Sequence, residues 1–457
     1  MMEAITGTNG NELWKRAEAL FGKPQKQWIN VDEMIYGIND YFDNTRRDEN
    51  GERQKGIKEA FDFHYQNNLF YNQYCQEQKI TPLDIKTEED FKKIPMIPDT
   101  FFKDYPNEDP HSVFEWLYRV SSVNIGSYDF DGKSLQNFLG WAENRLKGVI
   151  LHSSGTSGKF SIMFRDKETY RRFFHMAIKT LLFHIVPVEN DIHFIYPGPT
   201  QTYLAMGHVV ATGSQIFNDE HKHFLTNRPL TMELVKLMST GKAEGIKQKI
   251  ELLLLKKAMT KGQYGIIKLL QKLEKEEKQV FLLTFPFQIW NLMDIMDKEG
   301  ITFDLGETNS FMVTAGGWKL YSSEKVTEKE FATRVEKTLG IPKENYRDIY
   351  GMSEMNGLAL SCEKRYKHLT DWIYPQVLNE NLEPIGFGKW GRFAFLDPAG
   401  YSYPGFIITG DRVKLLEKCP KCHKTGVVLE SEITRMTGTE ARGCGNLMRK
   451  LLSEELR

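Results

Sequence analysis

The chain has 457 residues and nearly balanced charge, 60 basic against 61 acidic side chains, so nothing global directs it toward nucleic acid or an anionic membrane surface. Its 40% hydrophobic and 12% aromatic content supports a large buried core, in two domains or one large domain with additions. The sequence has no apolar run of bilayer-spanning length, no basic and apolar signal region at its N-terminus, and only five cysteines; these features predict a cytoplasmic protein.

Residues 1–145 read as a mainly helical N-terminal region. Within 56–78, Phe61, Tyr65, Leu69 and Tyr74 recur at near-helical spacing, and the proline-punctuated stretch 94–98 reads as an extended connector. From 146 to 375, apolar strand candidates at 149–151, 192–196, 280–284 and 311–314 alternate with helical stretches such as 167–185 and 323–339. That alternation predicts an α/β nucleotide-binding core with layered sheets and helices, the sheet mainly parallel. The lysine- and leucine-rich stretch at about 234–279 reads as an inserted helical hairpin, with a membrane-surface helix as the alternative. Residues 376–457 turn to short β-like runs broken by Gly and Pro, then a short helix at 447–456 and a cysteine-bearing tail.

One stretch is rich in chemistry. Ser153, Ser154, Gly155, Thr156, Ser157, Gly158 and Lys159 follow a strand candidate and combine hydroxyls, glycines and one cation. Glycines let backbone N–H groups turn inward, hydroxyls donate and the ammonium supplies a point charge, a way to wrap a polyphosphate. The stretch is not a Walker A loop, which needs four residues between its glycines and a hydroxyl residue after its lysine. Here only Thr156 and Ser157 intervene, and Phe160 follows. Three further motifs come later in the chain. Gly316 and Gly317 close a strand candidate; Tyr350, Gly351, Ser353 and Glu354 offer a ring, a slim backbone, a hydroxyl and a carboxylate; Asp411 follows an apolar run. Each alone also fits an ordinary strand-to-helix turn. Ligands of open α/β sheets sit at the carboxyl ends of strands, and together the motifs suit a nucleoside triphosphate. The loop would hold phosphates, Tyr350 the base, Glu354 a Mg²⁺ ion and Asp411 the ribose hydroxyls.

The ordered set of Ser/Thr/Gly–Lys loop, Tyr-Gly-x-Ser-Glu and Thr-Gly-Asp resembles the adenylate-forming superfamily of acyl-CoA ligases. It looks closer still to the acyl-protein synthetases, the LuxE family of fatty acid reductase complexes, through residues 61–65, 94–95, 316–319 and 442–444. The resemblance runs from about 55 to 446. It implies an adenylate-forming-enzyme-like large domain, with ATP and Mg²⁺ as cofactors and a long-chain fatty carboxylate turned into acyl-AMP. It further implies a reductase-type protein partner that receives the acyl group. By the same resemblance Ser353 touches the α-phosphate and Arg435 contacts ribose or phosphate, although the family's following Gly-Arg reads Gly438 and Thr439 here.

Acyl-CoA ligases carry a further mobile domain with a lysine that assists adenylation, and the sequence given stops at Arg457 without it. Cys444, between Gly443 and Gly445 and beside Arg442, is instead the candidate acyl acceptor, forming a thioester on the chain itself; an incidental thiol is the alternative. Cys419 and Cys422 form a CxxC knuckle that, with Cys362 and His368, matches the Cys₃His set of a structural zinc site. Four unlinked residues around an ordinary turn would read the same. Cys75 reads as a core residue. Two further functions stay open at this level: an acyl- or aryl-CoA ligase releasing a CoA thioester, and a non-catalytic nucleotide-binding subunit.

Overall fold

Five strands run parallel in the spatial order Lys222–Thr226, His193–Pro199, Val280–Thr284, Phe311–Ala315 and Tyr346–Tyr350. They form one half of the mixed sheet in this computed structural model, which describes residues 11–38, 40–42, 51–153, 159–226, 228–240, 245–316, 326–422 and 424–436. Strand Val280–Thr284 is buried along its whole length, as a parallel strand covered on both faces must be. Its side chains alternate between two cores. Val280 and Leu282 join Met312 beneath helices Pro286–Glu299, Glu328–Leu339 and the second half of Gly245–Lys275. Phe281 and Leu283 join Phe311 and Val313 on the opposite face, under helices Glu12–Phe21 and Lys167–Phe183. Period-two alternation is what divides one apolar run between the layers.

The sheet continues antiparallel through Ala359–Ser361, Lys367–Leu369, Val428–Leu429, Phe406–Leu416, Trp390–Leu396 and Tyr374–Leu378, so it crosses residue 375 without interruption. Strand Phe406–Leu416 organises this half. One edge pairs with Trp390–Leu396. Along the other edge three short strands follow one another: Ile97–Pro98 opposite Ile407 and Ile408, Thr434–Arg435 opposite Asp411 and Arg412, and Val428–Leu429 opposite Leu415 and Leu416. Beneath lies an aromatic core in which Phe61 and Tyr71, from helices Glu52–Asn67 and Leu69–Glu77, meet Phe101, Trp372 and Phe406.

Two expectations about strand ends change. Strand Gly148–His152 does not enter the large sheet; it pairs antiparallel with Ile162–Asp166 as a separate two-stranded sheet. The hydroxyl-rich stretch therefore joins two strands of a hairpin, its flanks tied by mutual ladder bonds. Asp411 lies inside an eleven-residue strand rather than at its end, because the edge beyond it still has partners to pair with. The lysine-rich stretch forms helices Met232–Thr240 and Gly245–Lys275 between strands Lys222–Thr226 and Val280–Thr284. Among the described residues no helix is long and apolar enough to cross a membrane.

Candidate active site

Tyr350 ends the last parallel strand, and its hydroxyl donates to Asp411 Oδ2 at 2.9 Å. Arg435 sits directly opposite Asp411 in the ladder and donates through Nε to Oδ1 at 3.1 Å. Asp99 completes the group. Its Oδ2 accepts from the Gly410 backbone N–H at 3.1 Å and lies 3.4 Å from Arg435 Nη1. A Cβ at Gly410 would lie 2.6 Å from the Arg435 guanidinium, so a larger residue there would push that exposed side chain aside. Burial, then the Asp411 charge, push the Tyr350 phenol well above its ordinary value. Burial alone would lower Arg435, but Asp411 and Asp99 raise it. Arg435 is 58% exposed, so the group opens to solvent on that side. Gly351 has open space where a side chain would be, which leaves the backbone beside Tyr350 approachable.

The turn after Tyr350 is held from the hairpin. Arg165, buried in strand Ile162–Asp166, donates through Nη2 to the carbonyl of Ser353 and to that of Met355 at 3.3 Å. The Tyr403 hydroxyl also reaches the Ser353 carbonyl, at 3.5 Å. Asp397, fully buried, accepts the Asn356 N–H. Glu354 is itself buried, and its charge is among those acting on the Tyr403 phenol, which burial raises to about 12. Two carbonyls fixed by one guanidinium define where Ser353 and Glu354 stand.

Ser153 closes the hairpin connection: its N–H donates to the Ser161 carbonyl and its Oγ accepts the Ser161 N–H, both at 2.9 Å. His152 is buried beside it, and burial lowers its imidazole to about 4. Lys159 is anchored on Tyr105, with Nζ 2.5 Å from the carbonyl and 3.9 Å from the ring centre. Burial lowers its ammonium, against the pull of Asp104 and Glu108. Gly316 follows strand Phe311–Ala315 at φ +85°, where a Cβ would meet the Phe285 ring at 2.6 Å. Thr314, at the same strand end, donates to Asp348 Oδ1 at 2.6 Å.

Of the expected residues, the fold brings Tyr350, Asp411 and Arg435 into one hydrogen-bonded group, with Gly351, Ser353 and Glu354 in the adjoining turn. Lys159 and Ser153 flank the hairpin connection. Ser154, Gly155, Thr156, Ser157, Gly158, Gly317 and Cys444 lie outside the described residues. Cys362, His368, Cys419 and Cys422 come together elsewhere, at the far end of strand Phe406–Leu416. Asp99 and Arg165 were missed. Asp99 had a signal, a carboxylate directly after the 94–98 connector; Arg165 had none, because an arginine in a short strand reads as a surface residue.

The acyl-protein synthetase (LuxE) family model matches residues 264–453. A long-chain-fatty-acid–luciferin-component ligase of Aliivibrio fischeri is 24% identical over 408 residues, 89% of this chain and 90% of the relative. Its counterpart from Vibrio harveyi is 22% identical over 78% of this chain and 77% of the relative. Over these residues the chain is similar to the LuxE acyl-protein synthetases. The fold is shared more widely. A 2-hydroxyisobutyryl-CoA ligase, solved open with 2-HIB-AMP and CoA, superimposes at a TM-score of 0.57 with 12% identity, over 92% of this chain and 83% of that one. The same ligase in its postadenylation state gives 0.55, over 91% and 73%. The chain thus has a mixed α/β fold similar to that of these ligases, with a β-rich C-terminal region.

Proposed function

We propose that the protein is an ATP-dependent ligase that activates a long-chain fatty acid and loads it onto its own Cys444. The Tyr350–Asp411–Arg435 group supports the reading, since an aromatic ring, a carboxylate and an exposed guanidinium meet in one hydrogen-bonded cluster, a set suited to a nucleoside. Among the described residues each Asp411 oxygen meets one donor, and a carboxylate oxygen has a further lone pair to accept from a ribose hydroxyl. Tyr350 would face the base, and Arg435 ribose or phosphate. Ser353 would touch the α-phosphate, and the loop at 153–158 would wrap the remaining phosphates with Lys159 and the turn at Gly316 and Gly317. Glu354 would hold Mg²⁺, which neutralises phosphate charge when bound. The long-chain-fatty-acid ligases among the relatives support the substrate class.

A carboxylate oxygen attacks the α-phosphorus, the bond to the β-phosphate oxygen breaks, and pyrophosphate leaves. The Cys444 thiolate, having released its proton, then attacks the acyl carbon; the mixed-anhydride bond breaks and AMP departs. Catalysis of the first step is positioning and charge neutralisation, which the named side chains supply. The acyl group would pass on to a reductase-type protein partner.

Labelled fatty acid and ATP, followed by a denaturing gel and pyrophosphate assay, test this. Wild type should release pyrophosphate and carry a hydroxylamine-labile label, and Cys444→Ala should keep ATP–pyrophosphate exchange without the label. Label persisting on Cys444→Ala removes that residue's role. A CoA-dependent product without labelled protein favours a CoA ligase, and no pyrophosphate with any fatty acid overturns the proposal.

A further inference from the structure

Cys362, His368, Cys419 and Cys422 approach from three parts of the chain. Cys362 follows strand Ala359–Ser361, His368 is central in Lys367–Leu369, and the CxxC pair lies in the connection between Phe406–Leu416 and Val428–Leu429. One nitrogen and three sulfurs lie within 4.8 Å of one another, with Cys422 Sγ 3.2 Å from His368 Nε2. Tetrahedral bonds of about 2.3 Å to sulfur and about 2.0 Å to nitrogen put ligand atoms roughly 3.5–3.8 Å apart, so the cluster is already near the spacing a metal imposes.

The Cys422 N–H donates to Cys419 Sγ at 3.3 Å, and the backbone N–H groups of Lys364 and Lys424 are directed at the sulfurs of Cys362 and Cys422. Hydrogen bonds of this kind fix the direction in which the sulfurs point, as around bound metals. The turn that presents Cys362 is tight: its N–H donates to the Tyr366 carbonyl at 2.8 Å, and Arg365 takes φ +72°.

We propose that these four residues form a closed, structural Zn²⁺ site. Three thiolates and one imidazole in a compact set select zinc over Mg²⁺ or Ca²⁺, which prefer oxygen ligands, and four protein ligands leave no open position for catalysis. The site is a staple. Asp411 and Arg435 lie at the two ends of the segment whose middle contains the knuckle, and the metal ties that segment to strand Lys367–Leu369. It therefore holds in register the ladder that sets Arg435 opposite Asp411.

The test uses the full chain, purified without a metal-binding tag. Stoichiometric zinc by elemental analysis is expected, released in step with thiol modification by a mercurial and read with a chromogenic chelator. Cobalt replacement should give the visible absorption of a tetrahedral thiolate complex. Cys419→Ser and Cys422→Ser should lose the metal, and Cys75→Ser should retain it. Metal-free protein whose cysteines alkylate freely in the native state overturns the proposal, as does a Cys419–Cys422 disulfide or bound iron. These readouts do not depend on acyl transfer, so an inactive but zinc-loaded protein would separate this site from the ligase reading.

Discussion

Tyr350 and Asp411 meet at 2.9 Å although they are 61 residues apart in the chain. One ends a parallel strand and the other lies inside an antiparallel one, so their contact joins the two halves of the sheet at the point where Arg435 reaches solvent. Asp411→Ala removes the acceptor shared by Tyr350 and Arg435. The KM for ATP in pyrophosphate exchange should rise by about tenfold or more, a transition of about 1.4 kcal/mol or above. Tyr350→Phe removes a single hydrogen bond and should cost only about 1 kcal/mol of stability with a smaller rise in KM. Equal, wild-type KM values in both variants would remove the nucleotide from this group.

Arg165 holds the Ser353 and Met355 carbonyls from the neighbouring hairpin. Arg165→Ala removes the donor shared by both carbonyls, leaves the Ser353 carbonyl only the longer Tyr403 contact, and lets the Ser353–Glu354 turn shift. Misplacement of a positioning turn lowers turnover more than binding, so kcat should fall about tenfold or more with the KM for fatty acid little changed. Urea unfolding of the same variant monitors integrity. Unaltered kcat would show that the turn positions nothing.

Asp32 is buried and accepts from Arg172 at 2.6 and 3.1 Å and from Lys23 at 2.7 Å, which ties helix Asn30–Tyr36 to helix Lys167–Phe183. Arg172→Ala removes two of the hydrogen bonds to the buried Asp32 carboxylate, leaving Lys23 and the Ile29 N–H, and should cost about 2–3 kcal/mol in denaturant unfolding. Burial would raise the Asp32 carboxyl, but hydrogen bonds from Arg172 and Lys23 hold it below its ordinary range. A depressed carboxyl contributes stability above about pH 4 that is lost as pH falls through the folded value. The wild type should therefore lose this contribution in acid, and the variant, which keeps only the Lys23 and Ile29 bonds, should lose less.

His64 is buried between Ser122 Oγ at 2.7 Å and the Gly400 carbonyl at 3.1 Å, and burial lowers its imidazole to about 3. The unfolded chain takes up a proton near pH 6.5 that the folded chain refuses. Stability should fall as pH drops below that point, by about 1.4 kcal/mol per unit for this histidine. His64→Gln, which does not titrate, should flatten the slope of unfolding free energy between pH 6.5 and 5. An unchanged slope would assign the acid sensitivity elsewhere.

The sequence by itself determined what acts within one element or one short spacing. The apolar run at 280–284 read as a strand candidate, the stretch at about 234–279 read as a helical hairpin, and the knuckle spacing at 419–422 already offered two thiols. It also held the motif residues Tyr350, Glu354 and Asp411 in order. Tertiary structure alone decided that the hydroxyl-rich stretch bridges a hairpin, that Asp411 lies within a strand, that Asp99 meets Arg435 and that Arg165 holds the turn after Tyr350. Arg435 and Asp99 are separated by 336 residues, and no local pattern encodes their meeting. Their contact follows from strand register along Phe406–Leu416, which burial of the whole aromatic core sets.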